Sequence, residues 1–163
     1  MKRNFKTLLL LLLAGFAAQA SLADSHGKLV GFWRLAAYEM EVQASGARET
    51  PFGKSPTGYI LFAADGRMMV VLTGEGRKAA ASDQDRAELM KTLVAYTGTY
   101  RVEGDKWITK VDVAGNPAWV GTEQARTYKL EGDRLTEMTA VINRPDKGPV
   151  RFVLTWEREV GPA

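Results

Sequence analysis

Arg126, Tyr128 and Glu137 are the residues of this chain whose types and spacing could do chemistry together. Arg126 and Tyr128 are alternate residues of one alternating stretch, which also holds Gln124 and Leu130. A Gly132-Asp133 turn follows. A two-residue hairpin there sets Leu130 opposite Leu135, Tyr128 opposite Glu137 and Arg126 opposite Thr139. The face carrying Leu130 is dry, so a guanidinium, a phenol and a carboxylate are expected on one interior face. A buried arginine needs a partner. One reading is an internal ion pair with Glu137, tied by the Tyr128 hydroxyl. The other is a polar anchor for a ligand carboxylate or carbonyl in a mostly apolar cavity. A third use of the same groups is catalysis. Burial raises a carboxyl pKa, so Glu137 could act as general acid or base while Tyr128 or Arg126 stabilises an enolate or oxyanion. Isomerisation, cyclisation or hydration would fit such a site, with no cofactor.

Composition removes other chemistries. There is no cysteine and a single histidine, His26, near the N-terminus. Zinc sites of the usual nitrogen and sulfur type, cysteine nucleophiles and Ser-His-Asp triads therefore lack their residues. No glycine-rich phosphate cradle and no metal-ligand spacing is present, so neither metal nor cofactor is expected.

The elements that must position these residues read as strands. Thr99-Tyr-Arg-Val-Glu-Gly-Asp-Lys106 recurs as Thr127-Tyr-Lys-Leu-Glu-Gly-Asp-Arg134. Each copy is an alternating strand, a Gly-Asp turn that needs positive φ, and a second alternating strand. Strands are expected at 29–42, 58–63, 67–73, 96–103, 106–113, 124–131, 134–142 and 151–158. Asp65-Gly66 forms a further hairpin turn. Parity puts Trp33, Leu35 and Ala37 on one face of the first strand. It puts Tyr96, Gly98, Tyr100 and Val102 inward on the fourth, and Trp107, Thr109, Val111 and Val113 inward on the fifth. Phe152, Leu154, Trp156 and Arg158 face inward on the last. The third strand is apolar on both faces, which calls for an outer cover. One helix after the Ser82 N-cap, with Ala87, Leu89, Met90, Leu93 and Val94 at helical spacing, would supply it.

The fold class is therefore all-β: an eight-stranded antiparallel up-and-down barrel with one helix between the third and fourth strands. Eight strands close without an edge around a space for one small ligand. A two-sheet sandwich is the alternative. Trp107 and Trp156 read first as packing. Trp119, in a loop bounded by glycine and proline, must fold back over something, as a mouth residue or a local anchor.

The N-terminus reads as a secretory signal peptide over residues 1–23. Lys2, Arg3 and Lys6 precede an apolar run, Leu8 to Ala18, and Ala18-Gln-Ala20 and Ser21-Leu-Ala23 offer cleavage motifs. The domain is then 24–163. The run is short for a bilayer span, which argues against a lasting membrane anchor. With no cysteine after it, the protein is periplasmic or secreted but not a lipoprotein. The formal charge of +3 resides in those three cations. The remainder is neutral, without the basic footprint of nucleic-acid binding. Oligomeric state is left open.

Leu29-Val-Gly-Phe-Trp-Arg-Leu35 resembles the Gly-x-Trp start of the lipocalin and fatty-acid-binding-protein superfamily. Pro51-Phe-Gly53, Pro56-Thr-Gly-Tyr59, Asp65-Gly-Arg-Met68, Gly98-Thr-Tyr100, Asn116-Pro-Ala-Trp-Val-Gly-Thr122 and Trp156-Glu-Arg158 are similar, in order, to the bacterial and fungal lipocalin-like domain family. The resemblance implies a barrel with Trp33 inward. It also implies that Arg158 packs across Trp33, closing one end. Fatty-acid-binding proteins anchor ligand carboxylates through an Arg-x-Tyr pair, though on a different strand. Many relatives carry histidine in the strand at 106–113, where this chain has Thr109 and Lys110.

The expected partner is a small hydrophobic or amphipathic molecule. The expected ligand-binding residues are Arg126, Tyr128, Glu137, Gln124, Tyr100, Trp107, Thr109 and Trp119. An enzyme using Glu137 and Tyr128, and a barrel filled by its own side chains, stand as alternatives.

Overall fold

The computed structural model describes residues 27–159. The leader, its cleavage motifs and His26 lie outside the described residues. The described strands are β1 (Gly31–Val42), β2 (Arg48–Glu49), β3 (Thr57–Phe62), β4 (Arg67–Thr73), β5 (Leu93–Glu103), β6 (Lys106–Ala114), β7 (Glu123–Glu131), β8 (Arg134–Thr139), β9 (Ile142–Arg144) and β10 (Gly148–Arg158). Helix α1 (Asp83–Lys91) lies between β4 and β5. Eight of the strands form an antiparallel meander, β1-β3-β4-β5-β6-β7-β8-β10, which closes through β1–β10 pairing. β2 and β9 are short additions to β1 and β10.

The Gly-Asp turns set the register. Gly104 and Gly132 have φ of 61° and 59°, a conformation that a side chain with Cβ disfavours. Glu103 pairs with Lys106 and Glu131 with Arg134 across them. The second hairpin has the register read from the sequence: Leu130 opposite Leu135, Tyr128 opposite Glu137, Arg126 opposite Thr139.

Two bulges break the simple parity. Between Leu35 and Ala37 the pairing of β1 with β10 slips by one residue. A one-residue insertion turns every later side chain to the other face. Tyr38 and Met40 are consequently buried, where Ala37 had been expected to continue the face of Trp33 and Leu35. A second slip lies between Thr97 and Gly98, which pair with Val113 and Val111. Val111 stays inside but Val113 turns out, 63% exposed, against the expectation that both face inward. Gly98 is what permits this bulge. A Cβ there would sit 2.0 Å from the Lys110 carbonyl oxygen.

The helix also differs from expectation. Ser82 caps it with a full capping box, its hydroxyl accepting from Asp85 N–H while Asp85 accepts from the Ser82 N–H. Yet α1 does not cover the outer face of β4, where Met69 and Val71 are each 51% exposed. The connection holds it elsewhere. Gly74 N–H donates to the Thr92 carbonyl, and Arg77 Nη1 donates to the carbonyls of Leu89 (2.7 Å) and Thr92 (3.0 Å). The helix therefore sits at the barrel end where β4 stops and β5 begins.

The opposite end is packed solid. Leu29, Trp33, Ile60, Phe62, Met68, Trp107, Leu135 and Trp156 are all fully buried there. Phe62 meets Trp107 edge-on at 5.1 Å and Tyr100 at 5.0 Å.

Candidate ligand site

Above that floor the barrel is hollow. A cavity of about 270 Å³ lies between β1, β4, β5, β7, β8 and β10. Val70, Leu72, Val94, Phe152 and Leu154 form its apolar wall. Tyr38, Tyr96, Gln124, Arg126, Glu137 and Thr139 supply its polar groups. Tyr38, Val94, Trp119 and Phe152 also border an outer vestibule of about 570 Å³, rimmed by Phe52, the end of α1, Asn116 and Arg144. Trp119, in a 3₁₀ turn at 117–119, meets Tyr96 edge-on at 5.9 Å and marks the passage between the two. Its side chain is a mouth residue.

Glu137 is the deepest polar group. It is 5% exposed, and its Oε2 has no hydrogen-bond partner among the described residues. Burial pushes its carboxyl up to about 7, against the pull of Arg126 and of the Trp156 indole N–H. The Trp156 N–H itself lacks a partner of good geometry. Burial, reinforced by Glu137, also holds the Tyr38 phenol well above its ordinary range. The Tyr96 phenol is raised by burial too, with the neighbouring Arg126 guanidinium pulling the other way.

Arg126 is half-buried. Its Nη1 donates to its neighbour's carbonyl, that of Ala125, at 2.9 Å, and lies 3.5 Å from Gln124 Oε1. The latter is too long to count as a strong bond. No contact within 4.0 Å joins it to Glu137 among the described ion pairs. The internal ion pair considered from the sequence is thus not formed. Two opposite charges share one chamber without touching.

Of the other residues singled out from the sequence, Gln124 and Trp119 line the chamber. Tyr128, Tyr100, Trp107 and Thr109 do not. Tyr128 stands across the hairpin from Glu137, but its ring packs on Trp107 at 5.5 Å, on the floor side. The Trp107 ring belongs to the floor, and Tyr100 packs on Phe62 and donates to the Ala63 carbonyl at 3.3 Å. Thr109 is fully buried opposite Gln124, its hydroxyl without a partner. Strands tilt across a barrel, so partners in register do not point to the same height. Tyr38 and Thr139 were missed as site residues. Thr139 could have been read from its place opposite Arg126, whereas the bulge hid Tyr38.

Residues 30–159 match the model of the lipocalin-like domain. The chain belongs to the lipocalin-like domain family. No curated protein matches it. Among solved structures, this lipocalin-like chain is similar to an uncharacterized protein from Bacteroides eggerthii. The two are 11% identical over 78% of this chain and 98% of that one, with a TM-score of 0.39. Membership of the family fits a barrel that holds a ligand in general terms.

Proposed function

We propose that this protein is an exported lipocalin-like barrel that binds a small, mostly apolar molecule by one polar or acidic end. The carrying observation is the half-filled interior. A solid floor lies beneath a 270 Å³ chamber whose apolar wall surrounds two unjoined charges, Glu137 and Arg126. Small-molecule sites combine apolar walls with a few placed polar groups in this way. Arg126, free of any ion pair with Glu137, is placed to take a carboxylate or carbonyl, and Trp119 borders the way in. A barrel packed throughout by its own side chains would leave no such chamber.

Export rests on the leader described above. One experiment tests both parts. Native mass spectrometry of protein recovered from the periplasm should give a mature chain beginning near Ser21 or Asp24, carrying a small molecule released on unfolding. Arg126→Leu should fold normally, since it breaks no ion pair with Glu137, and should lose that molecule. An intact Met1 on exported protein refutes the leader. A cavity that arrives empty, with no small apolar acid or ketone altering its tryptophan fluorescence, refutes the binding reading.

A further inference from the structure

The chamber contains a feature that retention of a ligand does not require. Glu137 lines it from β8, and among the described residues its buried Oε2 has no hydrogen bond of good geometry, with the Trp156 indole N–H acting on the carboxyl. In the ladder its neighbours are Tyr128 and Leu154, so an apolar residue would be at home there. Buried acceptors are nearly always paired, and an exception in a native fold calls for a reason. Arg126 and Tyr96 both line this chamber, and the positive guanidinium opposes the upward push of burial on the Tyr96 phenol. A buried carboxylate thus shares a small, mostly apolar chamber with two hydrogen-bond donors, Arg126 and Tyr96.

We propose that the chamber catalyses proton transfer beside a ketone carbonyl, with Glu137 moving the proton and Arg126 and Tyr96 holding the enolate oxygen. The inference rests on the binding reading above. The chamber-facing side of the Glu137 carboxylate takes a proton from the carbon next to the carbonyl. The C–H pair becomes the new carbon–carbon π bond, and the carbonyl π pair moves to oxygen, where Arg126 and Tyr96 donate to it. Glu137 then returns the proton, to the same carbon in exchange or to the far end of a conjugated system in isomerisation. Nothing is oxidised or reduced and no co-reactant is consumed. The substrate class is a neutral mono- or bicyclic ketone. Arg126 can take the acidic end of a bound ligand, but the oxygen that becomes an enolate must be a carbonyl, and a ketone brings no second charge beside Glu137 or Arg126. A neutral carbonyl compound offends neither, and the chamber's volume suits its size.

The environment tunes the base for this work. Burial lifts the Glu137 carboxyl to about 7, where a general base is both strong and substantially ionised at neutral pH. The groups facing it are Arg126 from β7, Tyr38 from β1 and Tyr96 from β5, with the Trp156 indole from β10. Arg144 of β9 acts on Tyr38 from the vestibule side. The two phenols stay protonated through neutral pH, so the activity should follow Glu137 alone and rise through about pH 7.

The test uses the mature chain with 2-tetralone and cyclohex-3-enone as probes. Hydrogen–deuterium exchange at the tetralone α-carbon is followed by NMR. Formation of the conjugated enone is followed by absorbance. Binding of each probe is read by tryptophan fluorescence. Exchange or isomerisation should exceed the protein-free rate at least about 100-fold, the low end of what a positioned base contributes. Glu137→Gln should lose that gain while still binding the ketones. Glu137→Asp, which withdraws the carboxylate by one methylene, should retain part of it. Tyr96→Phe should lower the rate more than the affinity. Ketones that bind but react at the buffer rate overturn the catalytic inference and leave the binding reading standing. Full activity in folded Glu137→Gln overturns it as well. Ketones that neither bind nor react overturn the catalytic inference, and the binding reading falls with it only where small apolar acids also fail to bind.

Discussion

Glu137→Gln should become more stable than the wild-type protein as pH rises, by about 3 kcal/mol between about pH 4 and pH 8. The cause is the burial that lifts the carboxyl from 4.5 to about 7 in the folded chain. Below 4.5 both folded and unfolded wild-type chains are protonated at this site, and it contributes nothing to the pH dependence. Between 4.5 and about 7 the unfolded chain releases its proton while the folded chain keeps it, so wild-type stability falls as pH rises. Above about 7 both states are ionised and the cost is constant. Glutamine does not titrate, so the variant lacks this loss. Urea unfolding of both proteins across that pH range reads the difference directly. Stability curves that run parallel would mean that the carboxyl is solvated in the folded chain. A carboxylate retained at such a cost, with no ion pair to offset it, is the kind of local inconsistency that marks functional sites rather than scaffolding.

The scaffold around that residue was largely legible in the sequence, for reasons that are local. The Gly104-Asp105 and Gly132-Asp133 turns allow one hairpin geometry, and alternation on either side of them leaves one register that buries the apolar face. Arg126, Glu137 and Gln124 therefore fall where hairpin parity puts them. What could not be read is what alternation cannot encode. An extra residue at the Leu35–Ala37 bulge sends Tyr38 into the chamber, and another near Asp112 sends Val113 out to solvent. Gly98, a glycine in the middle of an otherwise regular strand, was the available sign of the second bulge. The first occurs in Ala36-Ala37 and left no such sign. Hairpin pairing gives Tyr128 the right partner but not its height, because strand tilt is a property of the closed barrel and not of any one hairpin. Helix α1 shows the same division. Its cap was visible in Ser82 and Asp85, but its docking depends on Arg77 reaching the carbonyls at its far end, which periodicity does not report.

Arg158→Ala should lower stability by about 2–4 kcal/mol and the melting temperature by on the order of 10 °C, with no effect on ligand binding. Arg158 Cζ lies 4.0 Å from the Trp33 ring centroid. Its Nη1 donates to the Val30 carbonyl at 3.0 Å and its Nη2 to the Lys28 carbonyl at 2.8 Å. Trp33 in turn donates from Nε1 to the Leu29 carbonyl at 2.9 Å. One guanidinium thus ties the last strand to the segment that crosses the closed end, and holds the indole beneath it. The cation–π contact contributes roughly 0.5–2 kcal/mol, and hydrogen bonds from a charged donor roughly 1.5–3 kcal/mol each before the alternative of solvation is counted. The chain makes room for this arrangement. Gly31 sits at φ 141°, and a Cβ there would come within 2.7 Å of Nη1. The Asp133 contact at 3.1 Å is a different matter, because the carboxylate is mostly exposed. Exposed pairs contribute little, so Asp133→Ala should change stability by no more than about 0.5 kcal/mol. Thermal unfolding of the two variants separates a tie to the backbone from a surface ion pair. Equal losses would assign the stability to the ion pair. The chamber lies at the other end of the barrel, bordered by Tyr38 and Trp119 rather than Trp33. Probe affinity in folded Arg158→Ala should therefore match the wild type, and a drop would mean that floor and chamber are energetically one unit.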